Sequence, residues 1–268
     1  MPPELRDHAL SFCDNPTLFK YSAGSKRCNQ EIQRFNTIAP KSIKLKYCEE
    51  FGGTEVTLTY PSGPVVYRCE PVTKLEQGIG EAARIIEKIL KYVKTMDDTV
   101  VEIRMKKWPT EVMELKKMKK VKEIIVDVNK GNYKAFVDFL NKSEVSRLAI
   151  DFRKPEFPLL STMSTSFFKS DGFKKLDKIW LFKKMRITDR EFLDFKATEI
   201  LVFTSTISAV GVNKKIRQWY EGELPSICFL IWLTDGSRYD ANVKSWLRRS
   251  DGTVGILGVG RDSVWFGI

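Results

Sequence analysis

The sequence of 268 residues contains one histidine, His8, and lacks the short motifs that usually mark an enzyme. Ser-His-Asp, Cys-His and most imidazole-based zinc catalysis would all have to use that single side chain. There is no G-x-S-x-G, no H-E-x-x-H, no phosphate loop ending in Gly-Lys-Ser/Thr and no strand-linked G-x-G-x-x-G. We therefore expect a protein without catalytic residues, metal or cofactor. An enzyme that works without imidazole remains an alternative.

Cysteines and long apolar runs are scarce as well. The cysteines are odd in number and never spaced C-x-x-C, which favours buried, reduced thiols over a zinc site or a disulfide framework. They are Cys13, Cys28, Cys48, Cys69 and Cys228. No stretch approaches the roughly 20 apolar residues of a membrane span, and the start Met1-Pro2-Pro3-Glu4 is not a basic-then-apolar leader. We expect an intracellular protein, cytoplasmic and/or nuclear, with no membrane partner.

A repeated pattern, apolar-x-x-apolar-x-apolar, organises most of the chain; we call it the frame. Its six copies begin 21, 24, 31, 21 and 30 residues apart, which is the period of a leucine-rich-repeat unit of one strand and one helix. The pattern predicts an α/β fold, a leucine-rich-repeat-like strand-helix solenoid, with an ordinary doubly wound sheet as the alternative. The copies are Val100, Ile103, Met105; Val121, Ile124, Val126; Val145, Leu148, Ile150; Leu176, Ile179, Leu181; Ala197, Ile200, Val202; and Ile227, Leu230, Trp232.

Helix signals lie between the frame copies. Thr188-x-x-Glu191 predicts a capping box, and Gly222 follows an apolar stripe as a C-terminal cap would. Residues between frame positions should point away from the apolar set, onto one long surface that suits a folded partner. The expected substrate-binding residues on that surface are Glu123, Ile125, Asp127, Arg147, Asp151, Lys178 and Trp180.

Two flanking regions have strand patterns of their own. Alternation over residues 40–70 predicts a small antiparallel sheet before the repeats, with a turn at Pro61-Ser62-Gly63-Pro64. Near the other end, Asp251-Gly252 lies between alternating residues and predicts a β-hairpin that closes the last edge of the repeat.

The chain is basic, with a net charge of +11. Residues 104–154 contribute fourteen Lys or Arg against seven Asp or Glu, and the densest cluster is Lys116, Lys117, Lys119, Lys120 and Lys122. One interpretation is a patch for nucleic acid or an acidic partner, and the other is a solvated helix face. A basic nucleic-acid-binding α/β protein that uses Lys116–Lys122 is therefore our second hypothesis.

The first 38 residues predict three short helices that are too small to form a core alone. Pro2-Pro3-Glu4-Leu5, Leu10-Ser11-Phe12-Cys13, Asn15-Pro16-x-Leu18 and Ser25-Lys26-Arg27-Cys28-Asn29 resemble an F-box, in the form common in nematode F-box families. The resemblance implies docking on the Skp adaptor of a cullin-RING ubiquitin ligase. It implies that the adaptor-binding residues are Pro2, Leu5, Leu10, Leu18, Tyr21, Ser25, Cys28 and Ile32.

The second half resembles the nematode F-box associated domain type 2, over roughly residues 187–259. Ile187-Thr188-Asp189-x-Glu191-Phe192-Leu193, Asn213-Lys214-Lys215-Ile216-x-x-Trp219 and Arg248-Arg249-Ser250-Asp251-Gly252-Thr253 carry this similarity. Together the two resemblances imply an F-box domain at residues 1–38 and a substrate-recognition domain at residues 39–268. The expected function is that of a non-catalytic subunit of a Skp-cullin-F-box ligase, with Skp, cullin, RING and an unknown protein substrate as partners.

Overall fold

The computed structural model describes residues 39–70, 78–105, 107–128, 132–150, 165–204, 206–224, 227–233, 243–260 and 263–268, together with residues 17 and 28. The chain divides between Ile124 and Ile125 into two compact units, which we call unit 1 and unit 2. Both contain strands and helices, so the expected α/β class is confirmed. The expected three-helix domain of residues 1–38 lies outside the described residues, apart from Thr17 and Cys28, which are both helical.

In the described part of unit 1, the complete strands follow the order β3-β2-β1-β4. Strand β2 pairs antiparallel with β1 and β3, and β4 pairs parallel with β1. This is the small antiparallel sheet that alternation predicted, extended by one strand. The elements are β1 (Ser42–Cys48), β2 (Gly53–Tyr60), β3 (Gly63–Cys69), α1 (Ile79–Leu90), β4 (Val100–Arg104), α2 (Thr110–Met113) and a 3-10 helix (Lys116–Lys120).

One side of the unit 1 sheet is aliphatic and buried. Ile43 and Leu45 of β1 face Leu58 and Val56 of β2, and all four side chains are inaccessible to solvent. Helix α1 packs on β2 and β3 and buries its own apolar stripe. Gly78 is the N-cap of this helix and has a left-handed backbone conformation, with φ of 68°. A side chain would not fit at this position, because an added Cβ would lie 2.1 Å from the carbonyl oxygen of Cys69 in β3.

Among the described residues of unit 2, the complete strands follow the order β6-β7-β8-β9-β12-β11-β10. Strands β6 to β9 are parallel, and β12, β11 and β10 continue the sheet with antiparallel pairs. Its elements are α3 (Tyr133–Lys142), β6 (Arg147–Ile150), α4 (Thr165–Phe168), α5 (Asp171–Lys174), β7 (Lys178–Met185), α6 (Asp189–Asp194), β8 (Glu199–Thr204), α7 (Ala209–Tyr220), β9 (Cys228–Leu233), β10 (Val243–Arg248), β11 (Val254–Val259) and β12 (Ser263–Gly267); β5 (Glu123–Val126) spans the division between the units.

Several local predictions are confirmed. Thr188 begins α6 with a complete capping box, in which the Thr188 backbone N–H donates to Oε2 of Glu191 over 2.8 Å. Gly222 follows α7 with φ of 82°, and its N–H donates to the Trp219 carbonyl. The hairpin at Asp251-Gly252 joins β10 to β11 in antiparallel register.

The frame identifies the buried residues of β5 to β8 correctly, misplaces one residue of β4 and misplaces the register of β9. Leu148, Ile179 and Ile200 are Cα partners across β6, β7 and β8, and all three are buried. In β9, however, the partner of Ile200 is Phe229, and Phe229 and Ile231 are buried. The frame, which predicted Leu230 and Trp232, is therefore one residue out of register in this strand. The apolar run Phe229-Leu230-Ile231-Trp232 fits the frame in either register, and a slip of one residue exchanges the faces.

The other error is in β4, where Val101 is fully buried and the predicted Val100 is only half-buried. The Cα partner of Val101 is the buried Ile43 of β1. Val100 fits the frame and Val101 does not, because the residues three and five positions after Val101 are Arg104 and Lys106. Long-range pairing with β1, which the frame does not include, places Val101 on the buried side.

Aromatic side chains fill the space between the helices of unit 2 and one side of its sheet. Phe192 of α6 lies 5.6 Å from Phe229 of β9, and Trp219 of α7 lies 5.0 Å from Phe266 of β12, both between ring centroids. Phe167, Phe168 and Phe173 continue this cluster. We call this the helix side of the sheet and the opposite side the outward side.

Candidate functional site

The outward side of the unit 2 sheet carries a group of large apolar side chains. They alternate with buried residues, because successive side chains of a strand point to opposite faces. Trp180, for example, lies between the buried Ile179 and Leu181. We call this group the aromatic face; it comprises Trp180, Phe182, Leu201, Phe203, Leu230, Trp246, Ile256 and Trp265.

Strand register assembles the aromatic face into rows. Trp180 of β7, Leu201 of β8, Leu230 of β9 and Trp265 of β12 are successive Cα partners. Neighbouring strands lie roughly 5 Å apart, so this row presents a continuous apolar band across four strands. The neighbouring row includes the pair Trp246 and Ile256, which joins β10 to β11.

The rings of the face are partly accessible to solvent. Trp246 is 71% exposed and Phe182 is 43% exposed, whereas most large apolar side chains of the helix side are buried. Trp265 lies across Gly258 of β11, where an added Cβ would come within 2.1 Å of its indole Cε2. Because Gly258 has no side chain, this indole can lie against the backbone as a flat platform.

A charged pair borders the apolar band. Glu199 of β8 forms an ion pair with Lys178 of β7, and Trp180 donates its Nε1–H to Oε1 of Glu199 over 2.8 Å. Burial raises the pKa of Glu199, but the hydrogen bonds from Lys178 and Trp180, with the positive charges of Lys178 and Arg147, outweigh it and leave the pKa below its usual range. The carboxylate therefore stays ionised and holds the Trp180 ring in place.

The structure brings together only part of the surface that the sequence predicted to bind substrate. Arg147 and Lys178 are Cα partners on β6 and β7, and Trp180 follows on the same side. Glu123, Ile125 and Asp127 alternate with buried residues as expected. Asp151 lies outside the described residues.

The predicted adaptor-binding residues are almost all outside the described residues. Pro2, Leu5, Leu10, Leu18, Tyr21, Ser25 and Ile32 belong to this group. Cys28 is described, and it is helical and half-buried.

Sequence reasoning missed most of the aromatic face and its charged neighbour Glu199. Leu201 could have been found, since it lies between two frame positions in the same way as Trp180. Leu230 was assigned to the buried set by the register error in β9. Trp246, Ile256 and Trp265 belong to strands beyond the repeated frame, and only their pairing places them on this side.

The lysine cluster of unit 1 makes several intramolecular contacts. Lys117 donates its Nζ–H groups to the carbonyl oxygens of Leu90 and Val93 at the C-terminal end of α1, and burial lowers the pKa of Lys117. Lys119 pairs with Glu114 over 2.8 Å, and Lys122 pairs with Asp98 over 2.9 Å. The ammonium groups of Lys117, Lys119 and Lys122 are therefore engaged within unit 1.

None of the helices that the structure describes is long and apolar enough to cross a membrane. Within that same part of the chain, no group of three or more His, Cys, Asp or Glu side chains is placed to hold a metal ion. No protein-family model, no curated protein and no solved structure matches the chain.

Proposed function

We propose that the protein is a substrate-recognition subunit of a Skp-cullin-F-box ubiquitin ligase. The F-box-like residues 1–38 bind the Skp adaptor, and the following domain binds a protein substrate through the aromatic face. The ligase then ubiquitinates the substrate and marks it for degradation. The subunit has no chemistry of its own, because its contribution is to hold the substrate at a high effective concentration near the conjugating enzyme.

The aromatic face is the observation that carries the substrate-binding half of this proposal. Contiguous exposed apolar side chains on a folded protein mark an interaction surface, and tryptophan is among the residues that contribute most to protein-protein affinity. Trp246 and Phe182 are exposed, and Trp180 and Trp265 are held in fixed positions between them.

The repeat hypothesis gains support from the arrangement of β6 to β9. These strands are parallel, align Leu148, Ile179, Ile200 and Phe229 in one row, and are separated in the chain by α4 with α5, by α6 and by α7. A leucine-rich-repeat-like solenoid has this order of strand and helix, and it offers a long surface of strand-borne side chains to a partner.

Nucleic-acid binding through Lys116–Lys122 is the less supported alternative. Phosphate binding needs ammonium groups that can exchange their counterions for the nucleic-acid backbone. Lys117 is committed to two backbone carbonyls, and Lys119 and Lys122 would first have to leave their carboxylate partners.

Co-purification with the Skp adaptor tests the proposal. The full-length chain should form a stoichiometric complex, and Leu5→Asp with Leu18→Asp should abolish it, because a carboxylate on either apolar position would be desolvated on docking. Trp246→Ser is the matched control, since it changes an exposed apolar side chain of the aromatic face and should leave the complex intact. An unchanged complex with both aspartates present would remove residues 1–38 from their assigned role.

A further inference from the structure

The aromatic face has a charge pattern as well as an apolar one. Lys178 and Glu199 neutralise each other through their ion pair. Arg147 lies beside Lys178 on β6, and Arg248 follows Trp246 on the same side of β10. Beyond the neutral pair, the outward side therefore carries a guanidinium group toward each end of the apolar band, at Arg147 and at Arg248.

Guanidinium groups favour carboxylates, which they bind through two parallel hydrogen bonds. We propose that the aromatic face binds a protein segment in which apolar side chains are flanked by aspartate or glutamate. The apolar side chains would cover the band from Trp180 to Trp265, and the carboxylates would reach Arg147 and Arg248. This inference rests on the proposed function, because it takes the aromatic face to be the substrate-binding surface and names the substrate's chemistry.

The same face is less suited to single-stranded nucleic acid, which also binds aromatic and cationic residues. Such binding stacks successive bases on aromatic rings along a positively charged groove. Here Glu199 keeps a negative charge beside the band, and its lowered pKa maintains that charge at neutral pH. Between Trp180 and Trp265 the row consists of Leu201 and Leu230, which offer no π-face to a base.

Fluorescence anisotropy with the full-length protein tests this inference with three probes. The first is a short peptide in which leucine and phenylalanine alternate with glutamate. The second replaces each glutamate with lysine, and the third is an oligothymidylate of similar length. We expect the acidic peptide to bind about tenfold or more tightly than the basic one. Equal binding of the two peptides would overturn the inference, and so would preferential binding of oligothymidylate.

Variants locate the binding surface. Arg147→Glu with Arg248→Glu should abolish the preference for the acidic peptide, because each change places a carboxylate opposite the ligand's own. Arg190→Glu with Arg217→Glu makes the same charge change on exposed positions of α6 and α7 and should preserve the preference. Trp246→Ser should weaken binding of the acidic peptide several-fold, whereas Tyr220→Ser, which removes a ring that is 51% exposed on α7, should not. The assignment of the binding surface to the aromatic face would be contradicted if the double arginine variant had the same effect as its control, or if Trp246→Ser had the same effect as Tyr220→Ser.

The result is separable from the test of the adaptor complex. Arg147 and Arg248 lie outside the F-box-like residues 1–38, so their variants should still co-purify with the Skp adaptor. If the wild-type protein bound the acidic and basic peptides equally and still formed the adaptor complex, the substrate chemistry alone would be refuted. Acidic preference without an adaptor complex would refute the ligase assignment and leave the peptide-binding surface standing.

Discussion

The sheets of unit 1 and unit 2 are alike on the side that packs against helices and different on the other side. In unit 1 the outward row across β3, β2, β1 and β4 is Val66, Thr57, Lys44 and Glu102. Lys44 and Arg104 both pair with Glu102, the former over 3.4 Å. In unit 2 the corresponding row is Trp180, Leu201, Leu230 and Trp265.

This difference separates what folding requires from what binding requires. Burial of one apolar side per sheet is needed for stability in both units. A charged and threonine-rich outward side, as in unit 1, is what a sheet in contact with water normally shows. The apolar outward side of unit 2 has no such explanation, so it is the stronger candidate for a partner surface.

The largest expected effect comes from comparing substitutions on the two sides of β9. Phe229 packs between Phe192 and Phe266 on the helix side, whereas its neighbour Leu230 is half-buried on the outward side. Phe229→Ala should lower the free energy of unfolding by about 3–5 kcal/mol. Leu230→Ala should lower it by about 1 kcal/mol. Urea denaturation measures both, and a larger loss for Leu230→Ala would restore the register that the frame predicted.

A buried charge on the helix side of unit 2 gives the next largest effect. Lys215 of α7 is fully inaccessible, and its Nζ donates to the carbonyl oxygens of Leu193 and Phe195 at the C-terminal end of α6. Burial, helped by the positive charge of Lys196 and opposed by the negative charges of Asp194 and Glu223, lowers the pKa of Lys215 to about 8. The unfolded chain has the ordinary lysine pKa of about 10.4.

Between these two pKa values the unfolded state binds more protons than the folded state, so stability should rise with pH. Relative to Lys215→Met, the wild-type protein should gain up to about 3 kcal/mol from pH 8 to pH 10.5. Denaturation at several pH values measures this gain. The control is Lys214→Met, which removes an exposed ammonium group from the same helix and should show no such trend. A flat difference for Lys215→Met would show that its ammonium is not desolvated in the folded protein.

Sequence patterns predicted the elements better than they predicted the outward surface. Capping boxes, C-terminal glycines and hairpin turns are local, so Thr188, Gly222 and Asp251-Gly252 could be recognised from their neighbours alone. Register is not local. The continuous apolar run of β9 allowed two registers, and only pairing with β8 selects the one that buries Phe229.

The aromatic face was the least predictable feature, because it depends on long-range pairing. Trp265 reaches the row of Trp180 only because β12 pairs antiparallel with β9, after β10 and β11 have intervened in the chain. The frame could nominate Trp180 and Lys178 as outward residues. It could not show that Glu199 would pair with Lys178 and hold the Trp180 ring.

The smallest predicted effect comes from removing the charge of an outward carboxylate, Glu199 in unit 2 or Glu102 in unit 1. Glu199→Gln should lower the free energy of unfolding by about 1 kcal/mol at pH 7, because it removes a charged partner from Lys178. Since the folded pKa of Glu199 is lowered, its contribution is present above the unfolded value of about 4.3 and disappears as the pH falls through the folded value. The difference between wild type and Glu199→Gln should therefore vanish in acid.

Glu102→Gln in unit 1 is the matched variant, since Glu102 also pairs with two groups on an outward face. Neither of these groups is an aromatic side chain, so Glu102→Gln should leave tryptophan fluorescence unchanged. Glu199→Gln should alter that fluorescence, because the hydrogen bond from the Trp180 indole then ends on a neutral amide instead of a carboxylate. Identical spectra for wild type and Glu199→Gln would show that Glu199 does not position Trp180, and the rigid part of the aromatic face would then reduce to Trp265 against Gly258.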